Sequence, residues 1–238
     1  MTIYQRLLAR YGPQHWWPGD SPFEVIVGAI LTQSAAWGNV EKALANLKGE
    51  GVLSPQGLYH LPEDRLAQLI YPSGYYNAKA RKLKAFVGHL VEVYQGDLDR
   101  LFAQDVAALR PELLALHGIG QETADSILLY AGAKPVFVID AYTRRSAARL
   151  GLVPDKASYA GLQALFMDNL PPQVPLFNEY HALLVRLGKE ACRKVPRCPV
   201  CPLRELCPTG QAGDGTSAGV AASSGVKLSS RLEEEVDA

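Results

Sequence analysis

The sequence predicts an all-α fold, on three observations. Apolar residues recur at the three- and four-residue spacing of amphipathic helices through most of the chain. No segment shows the sustained apolar–polar alternation that marks a half-buried strand. Proline and glycine separate the apolar segments at short intervals, as expected for closely packed helices with short connections. With 238 residues, the chain can form one large domain or two small ones with a substantial core.

The helices are assigned in chain order from their start signals. Ser21 and Pro22 are a typical N-cap and first-turn pair, and they predict a helix that continues through Leu31. Beyond it, helical periodicity predicts further helices over residues 40–47, 61–70, 77–94, 97–101 and 106–116.

A short glycine-containing turn joins two apolar segments within LLALHGIGQETADSILLYAG, residues 113–132. The two glycines permit a tight turn, and Gln121 begins the next helix, so the pattern predicts a helix-hairpin-helix. The N–H groups at the start of the second helix can bind a DNA phosphate, aided by the helix dipole and without reading sequence. We therefore predict DNA contacts from His117, Gly118, Ile119, Gly120, Gln121 and Thr123.

The formal net charge is zero, but the charge is unevenly distributed. Residues 209–238 hold two basic against five acidic residues, which leaves a net charge of +3 on the rest. Lysine and arginine concentrate in two stretches, residues 75–84 and 186–204. Such clusters favour phosphate binding, and we select Lys82 and Lys194 as DNA contacts. An ordinary solvated helix face is the alternative interpretation for the first stretch.

Residues 209–238 differ in composition from the rest of the chain. They are small and polar, without apolar periodicity, and predict a flexible tail. No segment approaches the length of roughly 20 apolar residues that a membrane span needs. No signal peptide is recognised, so we expect an intracellular, cytoplasmic protein associated with the nucleoid, without a membrane partner.

Four cysteines, the only ones in the chain, lie within sixteen residues: Cys192, Cys198, Cys201 and Cys207. Four thiolates on one short, proline-rich loop can surround a compact inorganic core, which favours a [4Fe-4S] cluster. A structural zinc site usually has two C-x2-C pairs, and here only one such pair occurs. Two disulfides are the remaining alternative, and they are more typical of small secreted domains.

Asp140 ends the apolar run Val136–Ile139 and precedes a segment predicted to be helical through Leu150. It is therefore a candidate helix N-cap. A carboxylate in a partly dry pocket can also stabilise the cationic sugar that forms when a glycosidic bond breaks, or orient an attacking water. Its position twenty residues after the hairpin favours the catalytic interpretation.

Taken together, these motifs resemble the endonuclease III superfamily of base-excision DNA glycosylases. The resemblance covers about residues 20–208 and rests on SPFEVIVGAILTQ, HGIGQETAD, VIDAYTRR and the cysteine loop, in the family order. It implies two helical lobes, with the damaged base of double-stranded DNA flipped into the cleft between them. One lobe would lie within about residues 22–135, and the cluster lobe would combine the N-terminal segment with about residues 136–208. The acting form would be a monomer.

The resemblance also implies roles for individual residues. Asp140 corresponds to the catalytic carboxylate, and the four cysteines correspond to the ligands of the cluster, although the first cysteine interval is one residue shorter than usual. Glu122 occupies the position of the lysine that forms a Schiff base in bifunctional members. Because a carboxylate cannot form an imine, the resemblance implies a monofunctional enzyme that uses water. A first-turn acid that simply interacts with the helix dipole remains the alternative for Glu122.

Several aromatic residues fall where this superfamily lines its cleft, and HWWPGDSPFEVIVGAILTQ and PSGYYNAKARKL resemble its bacterial 3-methyladenine glycosylase branch. Stacking on electron-rich rings suits a cationic alkylated purine. The predicted base pocket is Trp16, Trp17, Gln33 and Trp37. Two alternatives remain: an endonuclease III-like enzyme that removes oxidised pyrimidines with weak abasic-site lyase activity, and a damage-binding protein without chemistry.

Overall fold

A computed structural model of the chain describes residues 1–212, and it contains helices and no strands within that range. The all-α prediction is therefore confirmed for this part of the chain. Most of the predicted tail lies outside the described residues, and its first residues belong to a short helix, Pro208–Gln211. No helix in residues 1–212 is long and apolar enough to cross a membrane.

The helices follow one another through short connections. Their bounds are α1 Thr2–Tyr11, α2 Pro22–Leu31, α3 Trp37–Gly49, α4 Pro55–His60, α5 Glu63–Leu69, α6 Tyr76–Tyr94, α7 Leu98–Phe102, α8 Val106–Ala115, α9 Gln121–Ser126, α10 Ala141–Arg149, α11 Tyr159–Asn169, α12 Val174–Glu190 and α13 Pro208–Gln211. A π-helical turn, Ile127–Ala131, continues α9, and 3-10 turns lie at Tyr71–Ser73, Cys198–Val200 and Arg204–Leu206.

Side-chain caps explain several of these helix starts. The Ser21 hydroxyl accepts a hydrogen bond from the Glu24 N–H at 3.2 Å, and Pro22 occupies the first turn of α2. Asp105 caps α8 in the same way, through the Ala108 N–H at 2.8 Å. The predicted helices are thus confirmed to within a few residues, and α4, which also begins with a capped Ser-Pro pair, is a helix that the periodicity did not reveal.

Two hydrophobic cores hold the fold together. The first is formed by α2–α9 and includes Ile26, Phe86 and Leu128, all essentially inaccessible to solvent. The second joins α1 to α10–α12 and the cysteine loop, with Leu7 and Phe137 at its centre. The chain therefore returns its N-terminal helix to the C-terminal half. The two cores are compatible with the two predicted lobes, whose boundaries remain a prediction.

Candidate active site

A cleft of about 1440 Å³ is lined by elements from both cores. The first core contributes the end of α2, the start of α3 and the hairpin before α9. The second contributes the segment before α10, α10 itself and one face of α12. The cleft therefore brings together parts of the chain that are far apart in sequence.

Asp140 lies at the wall of this cleft as the N-cap of α10. Its Oδ1 accepts a hydrogen bond from the Thr143 N–H at 2.6 Å, and its side chain is 12% exposed. The buried residues Val136–Ile139 lead directly to it. Both interpretations of the sequence are therefore compatible: the carboxylate caps the helix through one oxygen and can face the cleft with the other.

A buried polar network holds the segment that precedes Asp140. The carboxylate of Asp125, on α9, is inaccessible to solvent and accepts hydrogen bonds from Arg110 at 2.6 and 3.0 Å. It also accepts from the Tyr159 hydroxyl and the Gln163 amide, both at 2.8 Å. These two α11 side chains in turn bond the backbone of the buried run, at the Ile139 N–H and the Phe137 carbonyl. The network connects the hairpin helix to the position of Asp140.

Glu122 lies in the first turn of α9 and lines the same cleft as Asp140. Its side chain is accessible from the open cleft, yet the surrounding walls still remove much of its hydration. This burial, together with repulsion from the negative charge of Asp140, raises the pKa of Glu122 to about 7. The Glu122 carboxyl is therefore partly protonated near neutral pH.

The predicted need for glycine in the hairpin is confirmed at Gly118 but not at Gly120, which has φ −90° and open space at its β-position. Gly118 has φ +77°, and a β-carbon there would collide with the Lys82 side chain. Lys82 donates to Gln33 Oε1 at 2.5 Å, and Gln33 Nε2 donates to the Gly118 carbonyl and the Thr123 hydroxyl at 3.2 and 2.8 Å. Gln33, in the turn after α2, and Lys82, on α6, thus form a polar bridge to the hairpin.

The predicted hairpin contacts fall into two groups. Gly118, Gly120 and Gln121 line the cleft, and His117 is exposed outside its lining. The Ile119 side chain is buried in the first core and its N–H bonds the Leu116 carbonyl at 3.1 Å, which argues against a direct phosphate contact from this residue. The Thr123 hydroxyl is likewise already bonded inside the cleft wall, to Gln33.

The three tryptophans form one cluster at the cleft. The ring centroids of Trp16, Trp17 and Trp37 are 5.4 to 5.6 Å apart, and all three rings are partly buried. The Lys189 ammonium lies 5.6 Å from the centre of the Trp16 ring. The three tryptophans of the predicted pocket thus form one aromatic wall, whereas Gln33 lines the cleft at the hairpin.

The sequence interpretation missed His181, which lines the cleft, and Tyr130, which lies behind it outside the lining. The Tyr130 ring contacts Trp17 at 5.3 Å, and its hydroxyl lies 2.5 Å from His181 Nδ1. His181, on α12, is buried, and its Nε2 lies 3.8 Å from Asp140 Oδ2. A lone histidine and a lone tyrosine on apolar helix faces gave no signal in the sequence that distinguished them from core residues.

Basic side chains are less available than the sequence suggested. Lys79 is buried and donates to the Leu31 and Ser73 carbonyls at 2.8 and 2.6 Å, so it is a structural residue of the first basic stretch. Lys84 similarly bonds two backbone carbonyls. Lys82 lines the cleft, whereas Lys194 is exposed outside the cleft lining. The stretch over residues 75–84 is therefore not a single phosphate-binding face.

The cysteine loop packs against the end of α10. The Arg149 guanidinium donates to the carbonyls of Arg193 and Lys194 at 2.6 and 2.9 Å, and Cys207 Sγ donates to the Arg149 carbonyl at 3.1 Å. Burial raises the pKa of the Cys201 thiol, and the other three cysteines act in the same direction. The other three cysteines are therefore close enough to Cys201 to act on it electrostatically, although no group of His, Cys, Asp and Glu in residues 1–212 has the arrangement of a metal site.

Comparison with known proteins identifies the family. A protein of Methanocaldococcus jannaschii, provisionally named a DNA repair glycosylase, is 46% identical over 205 residues, which cover 85% of this chain and 93% of the relative. A trapped covalent intermediate of endonuclease III with DNA matches with a TM-score of 0.77 at 25% identity, over 89% of this chain and 95% of the other. The Helicobacter pylori 3-methyladenine DNA glycosylase bound to 1,N6-ethenoadenine matches with a TM-score of 0.68 at 29% identity, over 79% and 96%.

The family model of the HhH-GPD superfamily matches residues 27–172, more than half of the chain and the part that contains the hairpin, Glu122 and Asp140. The chain therefore belongs to the HhH-GPD superfamily of base excision DNA repair proteins.

Proposed function

We propose that this protein is a monofunctional DNA glycosylase that cleaves the N-glycosidic bond of a damaged base in double-stranded DNA. The observation that carries the proposal is the pair of carboxyl groups in the cleft, with Asp140 at the start of α10 and Glu122 at the start of α9. Asp140 supplies the negative charge, and no amine occupies the position of Glu122. The acting form is a monomer.

In the proposed mechanism, Asp140 acts on the sugar. Its carboxylate stabilises the positive charge that develops on the sugar as the base departs, and it orients the water that attacks C1′. The hydrogen bond from the Thr143 N–H keeps one carboxylate oxygen fixed at 2.6 Å during this step. Because Glu122 cannot form an imine, the product is an intact abasic site.

Replacing Asp140 tests this mechanism most directly. Asp140→Asn keeps the side-chain size and remains a good N-cap, but it removes the charge. We expect base release to fall by at least about a hundredfold, the scale of a lost catalytic acid–base group, while DNA binding persists. Asp105→Asn is the matched control, because Asp105 caps α8 in the same way and lies outside the cleft lining. A fully active Asp140→Asn variant would contradict the assignment.

Borohydride trapping tests whether the protein also has abasic-site lyase activity. Borohydride should trap little or no covalent complex of the unmodified protein with damaged DNA, and base release should far exceed strand cleavage. Glu122→Lys introduces an amine into the first turn of α9, and we expect it to restore some trapping. Efficient trapping by the unmodified protein would favour the endonuclease III-like alternative, in which another lysine forms the imine.

We propose an alkylated purine as the substrate. The cluster of Trp16, Trp17 and Trp37 offers several electron-rich ring faces, and such faces attract a cationic base. The similarity to the H. pylori 3-methyladenine glycosylase supports the same class. A set of duplex oligonucleotides, each with one lesion, tests this proposal: alkylated purines should be released fastest. Faster release of an oxidised pyrimidine or another neutral base would overturn it.

We propose that Cys192, Cys198, Cys201 and Cys207 hold a [4Fe-4S] cluster. The convergence of four cysteines on one loop that packs against α10 fits such a group. The cluster would fix the fold of the loop and takes no part in the proposed reaction. Purified protein should contain about four irons per chain and absorb visible light, and Cys198→Ser should lower both the iron content and the solubility. Stoichiometric zinc in place of iron would contradict this assignment.

A further inference from the structure

His181 is a buried polar group close to Asp140 that the proposed mechanism does not yet use. It projects from α12, its side chain is 7% exposed, and its Nε2 has no hydrogen-bond partner within the described residues. This atom lies 3.8 Å from Asp140 Oδ2. On the other side of the ring, Nδ1 lies 2.5 Å from the Tyr130 hydroxyl. The three side chains thus form a row that ends at the cleft.

The hydrogen-bond requirements of the row select one tautomer of His181. The Tyr130 hydroxyl contacts Nδ1 of His181, so a proton on Nδ1 would leave the buried phenol without this acceptor. The same tautomer would also turn the lone pair of Nε2 towards a carboxylate oxygen, which is repulsive. If Tyr130 donates to Nδ1, both problems disappear and an N–H group points at Asp140 Oδ2.

The electrostatic surroundings agree with these protonation states. Burial, and then the charges of Asp140 and Glu179, raise the pKa of Tyr130 well above its ordinary value, so the phenol keeps its proton. Burial lowers the pKa of His181, although Asp140 acts in the opposite direction. A neutral imidazole between a phenol and a carboxylate is therefore favoured near neutral pH.

We propose that His181 and Tyr130 are positioning residues for Asp140: Tyr130 fixes the imidazole so that its Nε2–H restrains Oδ2, while the Thr143 N–H holds Oδ1. This inference rests on the proposed role of Asp140 in base release. Two donors, one on each oxygen, then keep the carboxylate aimed at the sugar. The separation of 3.8 Å is longer than a hydrogen bond, and catalytic hydrogen bonds of this kind often tighten only when substrate is bound.

The first test reads the proton position without using activity. Nitrogen-15 NMR of the imidazole should show the His181 proton on Nε2 at neutral pH, and Tyr130→Phe should allow a mixture of tautomers. A proton on Nδ1 in the unmodified protein would overturn the proposal, as would an Nε2–H signal that Tyr130→Phe leaves unchanged.

The second test uses single-turnover base release at saturating enzyme. His181→Leu should slow release by roughly 10- to 100-fold, the range expected for losing a hydrogen bond to a charged group, with DNA affinity unchanged. His181→Gln, whose amide can donate to Oδ2, should recover much of the rate, and Tyr130→Phe should fall between. A soluble His181→Leu variant that releases the base at the original rate would overturn the proposal. So would a Gln variant as slow as the Leu variant.

The chain offers a matched control. His89 lies 2.6 Å from Glu112 and beside Tyr94, which donates to the same carboxylate, outside the residues that line the cleft. His89→Leu and Tyr94→Phe remove the same side-chain types from a similar cluster and should leave base release unchanged. The glycosylase proposal and the positioning proposal can be refuted separately. If the unmodified protein releases no damaged base, the glycosylase proposal is wrong. The NMR measurement still decides the arrangement of Tyr130, His181 and Asp140.

Discussion

Asp125→Asn is expected to destabilise the protein strongly, although Asp125 does not line the cleft. The carboxylate is inaccessible and accepts four hydrogen bonds, two of them from the Arg110 guanidinium. Asparagine removes the charge, and its amide group presents a donor where a donor already points. Breaking a buried ion pair costs about 3–5 kcal/mol. Since the Arg110 side chain is 24% exposed and keeps some hydration, we expect about 3 kcal/mol.

Thermal denaturation followed by circular dichroism measures this effect. For a chain of this size, about 3 kcal/mol corresponds to a lowering of Tm by roughly 6–12 °C. Asp97→Asn is the control, because Asp97 caps α7 and pairs with Arg100 on the surface, and asparagine is an equally good N-cap. A Tm within about 2 °C of the unmodified protein would refute the reasoning, because one or two lost buried hydrogen bonds alone would exceed that shift.

Three further predictions concern the cleft and the proposed DNA contacts. The pKa of Glu122 in the folded protein is about 7, above its ordinary value of 4.5, so the stability that its proton provides is complete at acidic pH and is lost as the pH rises through about 7. Urea denaturation should therefore show that the Glu122→Gln variant gains stability relative to the unmodified protein between pH 5 and pH 8. An equal stability difference at both pH values would contradict this. Lys82→Ala and Lys194→Ala should each weaken binding to all DNA sequences. Each should also reduce the slope of the logarithm of the DNA association constant against the logarithm of the salt concentration by about 0.9 in magnitude. An unchanged slope would show that the residue makes no phosphate contact. Gly118→Ala should cost about 1–2 kcal/mol, because φ is +77° and the new methyl group meets Lys82; an unchanged free energy of unfolding would contradict the geometry.

The helices and the outline of the cleft could be predicted because their signals are local. Ser21 and Asp140 act as caps within three residues of their own positions, and Gly118 permits the positive φ that the hairpin turn requires. The order of the motifs then indicated which elements meet. For these features, neighbouring residues carry most of the information.

The polar partners of the site could not be predicted because they come from distant positions. Tyr130 and His181 are 51 residues apart, and each lies on a helix face that is otherwise apolar. Asp125 depends on α8 and α11 for its four donors, so its role appears only when the helices are packed. Lys79 belongs to a basic stretch in the sequence but is buried in the structure. Because a helix turns about 100° per residue, a run of basic residues cannot all face the same surface.

One helix links the cysteine loop to the cleft. Asp140 is the N-cap of α10, whose nine residues extend roughly 13 Å to Arg149, which is bonded to the loop carbonyls. A short helix behaves as a stiff rod, so a shift of the loop at one end moves the carboxylate at the other. The cysteine loop and Asp140 are therefore attached to opposite ends of one helix, and we expect loss of the loop structure to displace the carboxylate.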